Sequence, residues 1–531
     1  MMQRRSFRCV ALAVVVLGSL LAWPAPGQAA GFDVRRRAEL VPGVEVRGLS
    51  GDGLSLDVGR VAAGAPVRVE AIAAGAVAGG VETTSAVCRR VGGIVCVNAD
   101  FTECRTCTTA FGGIVHDRVL QRSPVGNHPQ LSLGPPGPSA GNLGWGASLE
   151  ATVTYLDPSP SLLPGVLPPP APTERVERAS LGVDAVNRRR GANQVVLYTP
   201  PWSSTTGTRG GDEAILGSGP LVAGTDVPVD PRAFRAGAGS SPIPGDGAVL
   251  SADGAGAARL RAFWAKAADP TAARRTVVVR PRLDRPVEES VGGFPPVLTN
   301  GRTVIAGDRN PFVTSRNPRT LVGWNRSGDL LLVTVDGRQP GHSRGVSLVE
   351  GADILRQLGA TSGFNLDGGG SSTFVSLPPG GRSPQVLNRP SDGNERRVTT
   401  ILAVVPNNPG SVRPAAAGAP PPPPPPPAPP GPPPADEAST DGLPVGPAAP
   451  PAPTTTPTAP PTTAAPTTTA PPPPVPETVP PEPVDVQVAA PALPPATPGR
   501  PSTWFPGGVA VLALAATSAA TLRTARRSRR S

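Results

Sequence analysis

The sequence predicts an α/β fold: one domain of mixed β-sheet with flanking helices over residues 31–410. A disordered Pro-rich stalk follows over 411–500, then one transmembrane helix over 504–522 and a basic tail over 523–531. Three observations point there. A strand–helix–strand succession runs from Leu330 to Leu366. Short β-branched runs separated by Gly-rich turns recur from about residue 40 to 405. Beyond residue 410 the composition turns to Pro, Ala and Thr, which cannot build a core.

Residues 1–30 read as a secretory signal peptide, with a basic start through Arg8, an apolar run over 10–21 and small residues at Ala29 and Ala30. A buried core helix is the alternative. The net charge of +10 concentrates at the ends. Arg4, Arg5 and Arg8 lie in the leader, and Arg523, Arg526, Arg527, Arg529 and Arg530 lie in the tail. The remainder is nearly balanced and carries no electrostatic footprint for nucleic acid.

Strand-like runs follow at 44–46, 67–72 and 93–98, and again after the Gly112-Gly113 turn. Four cysteines survive removal of the leader: Cys88, Cys96, Cys104 and Cys107. An even number in an exported chain favours two disulfides, with three connectivities open. Zinc is the competing reading, but only Cys104 and Cys107 have the Cys-x-x-Cys spacing. All four flank Asn98-Ala99-Asp100-Phe101 and would brace it.

Residues 157–173 are Pro-rich and read as a surface insertion. Residues 194–198 and 276–280 read as strands, with one helix over 257–267 between them. Residues 330–335 form an apolar strand of the buried kind, ending at Asp336-Gly337-Arg338. Ser347-Leu348-Val349-Glu350 is a capping box, and Leu348, Ala352, Leu355 and Leu358 fall on one helical face. That helix leads into a strand at 364–366, and 399–405 supplies a closing strand.

At the second strand end stand Asp367, Gly368, Gly369, Gly370, Ser371 and Ser372. Three consecutive glycines add no packing and cost backbone entropy. They suit a turn that needs positive φ or lets a ligand approach, and exposed amides there make an anion-binding concavity. Asp-Gly is also a hairpin signal. In an α/β layout the ends of strands are where ligands sit, which favours a site.

The run Asn365-Leu366-Asp367-Gly368-Gly369-Gly370-Ser371-Ser372 resembles the strongest signature of the phosphodiester glycosidase family. Further blocks resemble it in order: Val97-Asn98-Ala99-Asp100-Phe101, Gly292-Gly293, Asn317-Pro318-Arg319-Thr320, Val335-Asp336-Gly337-Arg338 and Gly341-His342-Ser343-Arg344-Gly345. Together they span about 86–406. Thr102 stands where many members have a second aromatic residue. The resemblance implies a hydrolase that cleaves a sugar-1-phosphate diester, here of an envelope polysaccharide. It implies Asp367, Asp336 and Asp100 as catalytic candidates, because glycosidic cleavage commonly uses two carboxylates. Arg319 and Arg338 would clamp the phosphate. Asn98, Ser343, Asn365, Gly368, Gly369, Gly370 and Ser371 complete the substrate-binding set.

Other chemistries fare worse. Gly341-His342-Ser343-Arg344-Gly345 also fits a nucleophile elbow, but no histidine follows Ser343, as the order Ser, acid, His would need. His116, His128 and His342 are too scattered for a histidine zinc centre, and no P-loop is present. No cofactor is called for; a carboxylate cluster could hold Ca²⁺, but no spacing demands it. The expected location is extracytoplasmic, anchored by the single C-terminal span with the N-terminus outside. Two rival readings remain: a non-catalytic wall-polysaccharide binder on the same scaffold, and a surface protein in which the stalk matters most.

Overall fold

Leu330–Val335 is apolar except at Thr334, and all six residues are buried. Both of its faces are covered, by different partners. Leu331, Val333 and Val335 pack with Leu348, Ala352 and Leu355 of the helix Leu348–Gln357 and with Leu358, which caps its end. Leu330 and Leu332 pack with Val95, Val97, Phe374, Leu402 and Val404 of a second sheet. Each such side chain contributes roughly 1.5–3 kcal/mol when fully buried. That burial holds a ten-residue helix which would be marginal alone. The capping box starts it: Ser347 Oγ accepts from the Glu350 amide at 3.1 Å, and the Glu350 carboxylate accepts from the Ser347 amide at 2.8 Å.

The computed structural model describes residues 31–104, 107–126, 128–157, 172–378 and 380–408 of the 531-residue chain. Among them the strand Leu330–Val335 lies inside an eight-stranded sheet. The order is Asp33–Val41, Val44–Gly51, Leu54–Val61, Leu330–Val335, Arg319–Trp324, Ser362–Asn365, Pro296–Thr299 and Arg302–Thr303. Every neighbouring pair in it is antiparallel. A five-stranded sheet containing Phe374–Ser376, Val95–Asn98, Thr400–Pro406 and Val67–Ala73 faces it across the shared core.

A second eight-stranded sheet is built on the long hairpin Trp145–Asp157 and Thr173–Val183 and is covered by the helix Gly254–Ala267. Trp145–Asp157 alternates buried and open positions, as a strand with one covered face should. The Pro-rich insertion joins the paired ends Asp157 and Thr173, but its residues 158–171 lie outside the described ones.

The α/β expectation is therefore corrected. Strands make up 45% of the described residues and helices 11%, so the class is mainly β. An apolar run broken only by Thr334 suggested a buried strand of a mixed sheet with helices flanking it. Here the second cover is another sheet, which buries the strand equally well. The described pair that runs parallel is Ala185–Val186 with Val195–Tyr198. The transmembrane expectation is not supported either: among the described residues no helix is long and apolar enough to cross a membrane. The run at 504–522, the leader at 1–30, the stalk at 411–500 and the tail at 523–531 lie outside the described residues.

The disulfides are Cys88–Cys96 and Cys104–Cys107. The first ties the helix Thr84–Arg90 to the strand Val95–Asn98 inside a buried apolar cluster. It thereby holds the strand that ends at Asn98.

Candidate active site

Leu330–Val335 and Ser362–Asn365 are each antiparallel to the strand between them, Arg319–Trp324, so they run parallel to one another. Their carboxyl ends lie at the same end of the sheet. Asp336 follows the first and Asp367 follows the second, one residue beyond Leu366. Arg319 opens the middle strand at that same end, opposite Val335. A split strand–helix–strand crossover thus survives locally within an antiparallel sheet. The facing sheet adds Asn98, Ala99 and Asp100. The Asp367 amide donates to the Ala99 carbonyl at 2.8 Å, and Asn98 Nδ2 donates to the Asp367 carbonyl at 2.7 Å.

Burial pushes the Asp367 carboxyl up to about 6, and the charge of Asp100 adds to the rise. Hydrogen bonds from Ser371 and the Gly368 amide, and the charge of Arg396, pull the other way without prevailing. The Gly368 amide reaches Oδ1 at 2.9 Å. Asp100 is buried, and its oxygens accept from the amides of Phe101 at 2.8 Å and Gly112 at 2.6 Å. A carboxyl that titrates near neutrality beside a second, fully held carboxyl is suited to proton transfer.

Arginines surround the glycine turn. Arg319 is 3% exposed, and its guanidinium donates only to carbonyls: Phe312 at 2.8 Å, Ser315 at 3.0 Å and Val346 at 3.3 Å. Burial, with repulsion from Arg338, pulls it down to about 10. The Arg338 guanidinium donates to Asn317 Oδ1 at 2.8 and 3.1 Å. Among the described residues neither Arg319 nor Arg338 forms an ion pair. Two neighbouring cations without a carboxylate, one of them desolvated, leave positive charge here that no acidic side chain offsets. The turn fits beneath them. Gly369 has φ +62°, and a Cβ there would stand 3.3 Å from Arg338 Nη1. A Cβ on Gly370 would collide with Arg396 and Asp392, which pair with each other at 2.6 Å.

Asp336 has a different setting. It is 2% exposed and accepts from Asn388 Nδ2 at 3.0 Å, the Arg389 amide at 3.1 and 3.2 Å, and Ser55 Oγ at 3.4 Å. His342 Nε2 lies 2.8 Å from its Oδ2. Those four groups fill the carboxylate, and the His342 ring among them is partly open, at 26%. Asn388 also donates to the Ser372 carbonyl at 3.0 Å, linking Asp336 to the end of the glycine turn.

Three other candidates are buried, Asn98 and Ser343 with their polar groups engaged and Asn365 with its Oδ1 left without a partner. Asn98 accepts from Thr320 Oγ1 and the Thr373 amide while holding the Asp367 carbonyl. Ser343 Oγ donates to the Asp336 carbonyl at 2.6 Å and accepts from the Ser55 amide at 3.2 Å, which is not the setting of an exposed nucleophile. Asn365 Nδ2 donates to the Phe294 carbonyl at 2.5 Å. These three shape the site from behind.

The sequence reading left out Arg396, Asn388 and the phenylalanines Phe294 and Phe312. Each is a single residue outside any spaced motif, Phe312 in the four-residue helix Pro311–Thr314 and the others in irregular segments. His342 stands in a family block and in a serine-like motif, and nothing in the sequence marks its place on Asp336. Among the described residues the grouping compact enough to hold a metal is His116, Asp117 and Glu289. It lies at the far end of the strand Glu289–Gly292 from the residue that meets Asp100. There the Ala71 and Asp117 amides and His116 already occupy the Glu289 oxygens.

Residues 223–405 match the sequence profile described as phosphodiester glycosidase. A stretch of 109 residues is 37% identical to N-acetylglucosamine-1-phosphodiester alpha-N-acetylglucosaminidase of Bos taurus, covering 19% of each chain. A stretch of 73 residues is 45% identical to the Mus musculus protein of the same name, covering 14% of each. The chain thus spans less than a fifth of the length of either relative. Among solved structures, a hypothetical protein from Synechocystis is similar at 21% identity and a TM-score of 0.47, over 70% of this chain and 63% of that one.

Proposed function

Because the chain belongs to the phosphodiester glycosidase family through residues 223–405, we propose that it hydrolyses a sugar-1-phosphate diester of a cell-envelope glycan. The observation that carries this is the pair Arg319 and Arg338, without ion pairs and set over a glycine turn beside Asp367. A phosphodiester is an anion that fits, and guanidinium groups pair readily with phosphate oxygens.

In the proposed reaction water attacks the anomeric carbon as its bond to the phosphate oxygen breaks. The bonding electron pair stays on that oxygen, giving a phosphomonoester. The water proton passes to Asp367, which is ionised above about 6. Negative charge growing on the leaving phosphate meets Arg319 and Arg338, so that side needs little help from an acid. Gly368 to Gly370 and Ser371 orient phosphate or sugar, and Asp100 sets the electrostatics of Asp367. Asp336 acts through His342, the partly exposed ring held on its carboxylate. Asn98, Ser343 and Asn365 hold these groups in place.

Export is part of the proposal. Two disulfides suit an oxidising compartment and are uncommon in a reducing one. The test is release of phosphomonoester and free sugar by the purified protein from a panel of sugar-1-phosphate diesters. Turnover of at least one supports the reading. Binding without turnover of any would leave a polysaccharide-binding protein instead.

A further inference from the structure

Three phenylalanines from three separate segments converge beside Arg319. The ring centroids of Phe101 and Phe312 are 6.1 Å apart, and those of Phe294 and Phe312 are 6.0 Å apart. The planes are tilted by 57° and 34°, so the rings form a cup and not a stack. Phe294 is 46% exposed, the one aromatic among the large exposed apolar side chains of the described residues. Phe101 and Phe312 are half-buried.

Each ring is tied to the site through its own backbone. The Phe101 amide donates to Asp100 Oδ1. The Phe294 amide donates to the Asn365 carbonyl at 2.9 Å while its carbonyl accepts from Asn365 Nδ2, two residues before Asp367. The Phe312 carbonyl accepts from Arg319 Nη2, and the Arg319 guanidinium carbon lies 5.3 Å from the Phe312 ring centre. Core packing alone does not explain this placement. Leaving an aromatic ring half in water forgoes burial that the interior would reward, yet the backbone bonds fix Phe294 there.

We propose that Phe101, Phe294 and Phe312 form the sugar-ring subsite of this centre. The apolar face of a pyranose would rest on the cup while Arg319 and Arg338 hold its 1-phosphate. The proposal rests on the function given above. Charge decides the orientation: the cationic side of the cup is Phe312, so the phosphate end points there and the ring extends over Phe294.

The test is calorimetric titration of the full chain with hexose 1-phosphates and N-acetylhexosamine 1-phosphates, inorganic phosphate, methyl hexosides and uridine 5′-monophosphate. The wild type should bind at least one sugar 1-phosphate about tenfold more tightly than inorganic phosphate, a difference that corresponds to about 1.4 kcal/mol. Phe294→Ala should abolish that difference and leave inorganic phosphate binding unchanged, and Phe294→Tyr should restore it. Phe294 is exposed, so neither change should unfold the protein, and thermal melts check this. A Phe294→Ala protein that keeps the full preference overturns the subsite while the arginine reading stands. So does a wild type that prefers the nucleotide. Binding of methyl hexosides but not of phosphate would keep the subsite and overturn the arginine reading. No binding of any probe overturns both.

Discussion

The guanidinium of Arg338 lies over Gly369, so close that a methyl group on the glycine would stand 3.3 Å from Nη1. Gly369 also has φ +62°, where an L-residue is strained. Gly369→Ala should therefore disturb both the turn and the cation above it. Steady-state kinetics on a cleaved diester should show kcat/KM down by at least about tenfold. Gly64→Ala is the control: φ is +77° there with nothing within 4 Å, so it carries the backbone cost in open space. It should keep full activity.

The arginines should act on binding more than on chemistry in the ground state. Hydrogen bonds to charged groups contribute about 1.5–3 kcal/mol. Arg338→Gln should raise KM for the diester by roughly tenfold or more on that scale. Arg319→Lys should also be costly, because an ammonium cannot span the Phe312, Ser315 and Val346 carbonyls together. Measured KM values equal to wild type for both variants would remove the phosphate clamp.

Asp336 and His342 should behave as a unit. His342→Gln should lower kcat with little change in KM, and Asp336→Asn should give a similar kcat because it acts through the same ring. A double mutant no worse than either single one would show the coupling. Additive losses would separate the two residues.

Much of this centre was legible in the sequence for local reasons. The glycine run, the acids at strand ends and the Ser347–Glu350 capping box all depend on neighbours a few residues away. The strand–helix–strand unit from Leu330 to Asn365 was likewise visible. What lay beyond reach depends on tertiary partners. Leu330–Val335 looks the same whether a helix or a sheet covers its second face, so the class came out as α/β instead of mainly β. Arg396, Phe294 and Phe312 belong to no motif and gain meaning only from what lies beside them. The carboxyls of Asp336 and Asp367 occupy similar strand-end positions, yet only the tertiary surroundings reveal that donors fill the first and that burial lifts the second to about 6.

The Cys88–Cys96 bond closes a short loop between the helix Thr84–Arg90 and the strand that leads to Asn98. Replacing both cysteines by alanine should cost about 2–3 kcal/mol, the usual value for a native crosslink of this span. Urea unfolding at pH 7 would measure it. Because the bond lies behind the site, activity of the folded fraction should be largely retained.

The central claim is that Asp367 is the base, and the pH profile of kcat/KM for wild type and Asp367→Asn tests it most directly. The wild type should rise with pH and level off above about 6, since burial has lifted the carboxyl to that value and only its ionised form takes a proton. Asp367→Asn should fall by at least about 10²-fold and lose that limb. Its fold should not suffer. A carboxyl raised by burial contributes stability below its unfolded value of 3.8 that is lost as pH rises through about 6, so at pH 7.5 the neutral amide should melt no lower than wild type. A folded Asp367→Asn protein with near-normal turnover and an unchanged limb would contradict the account.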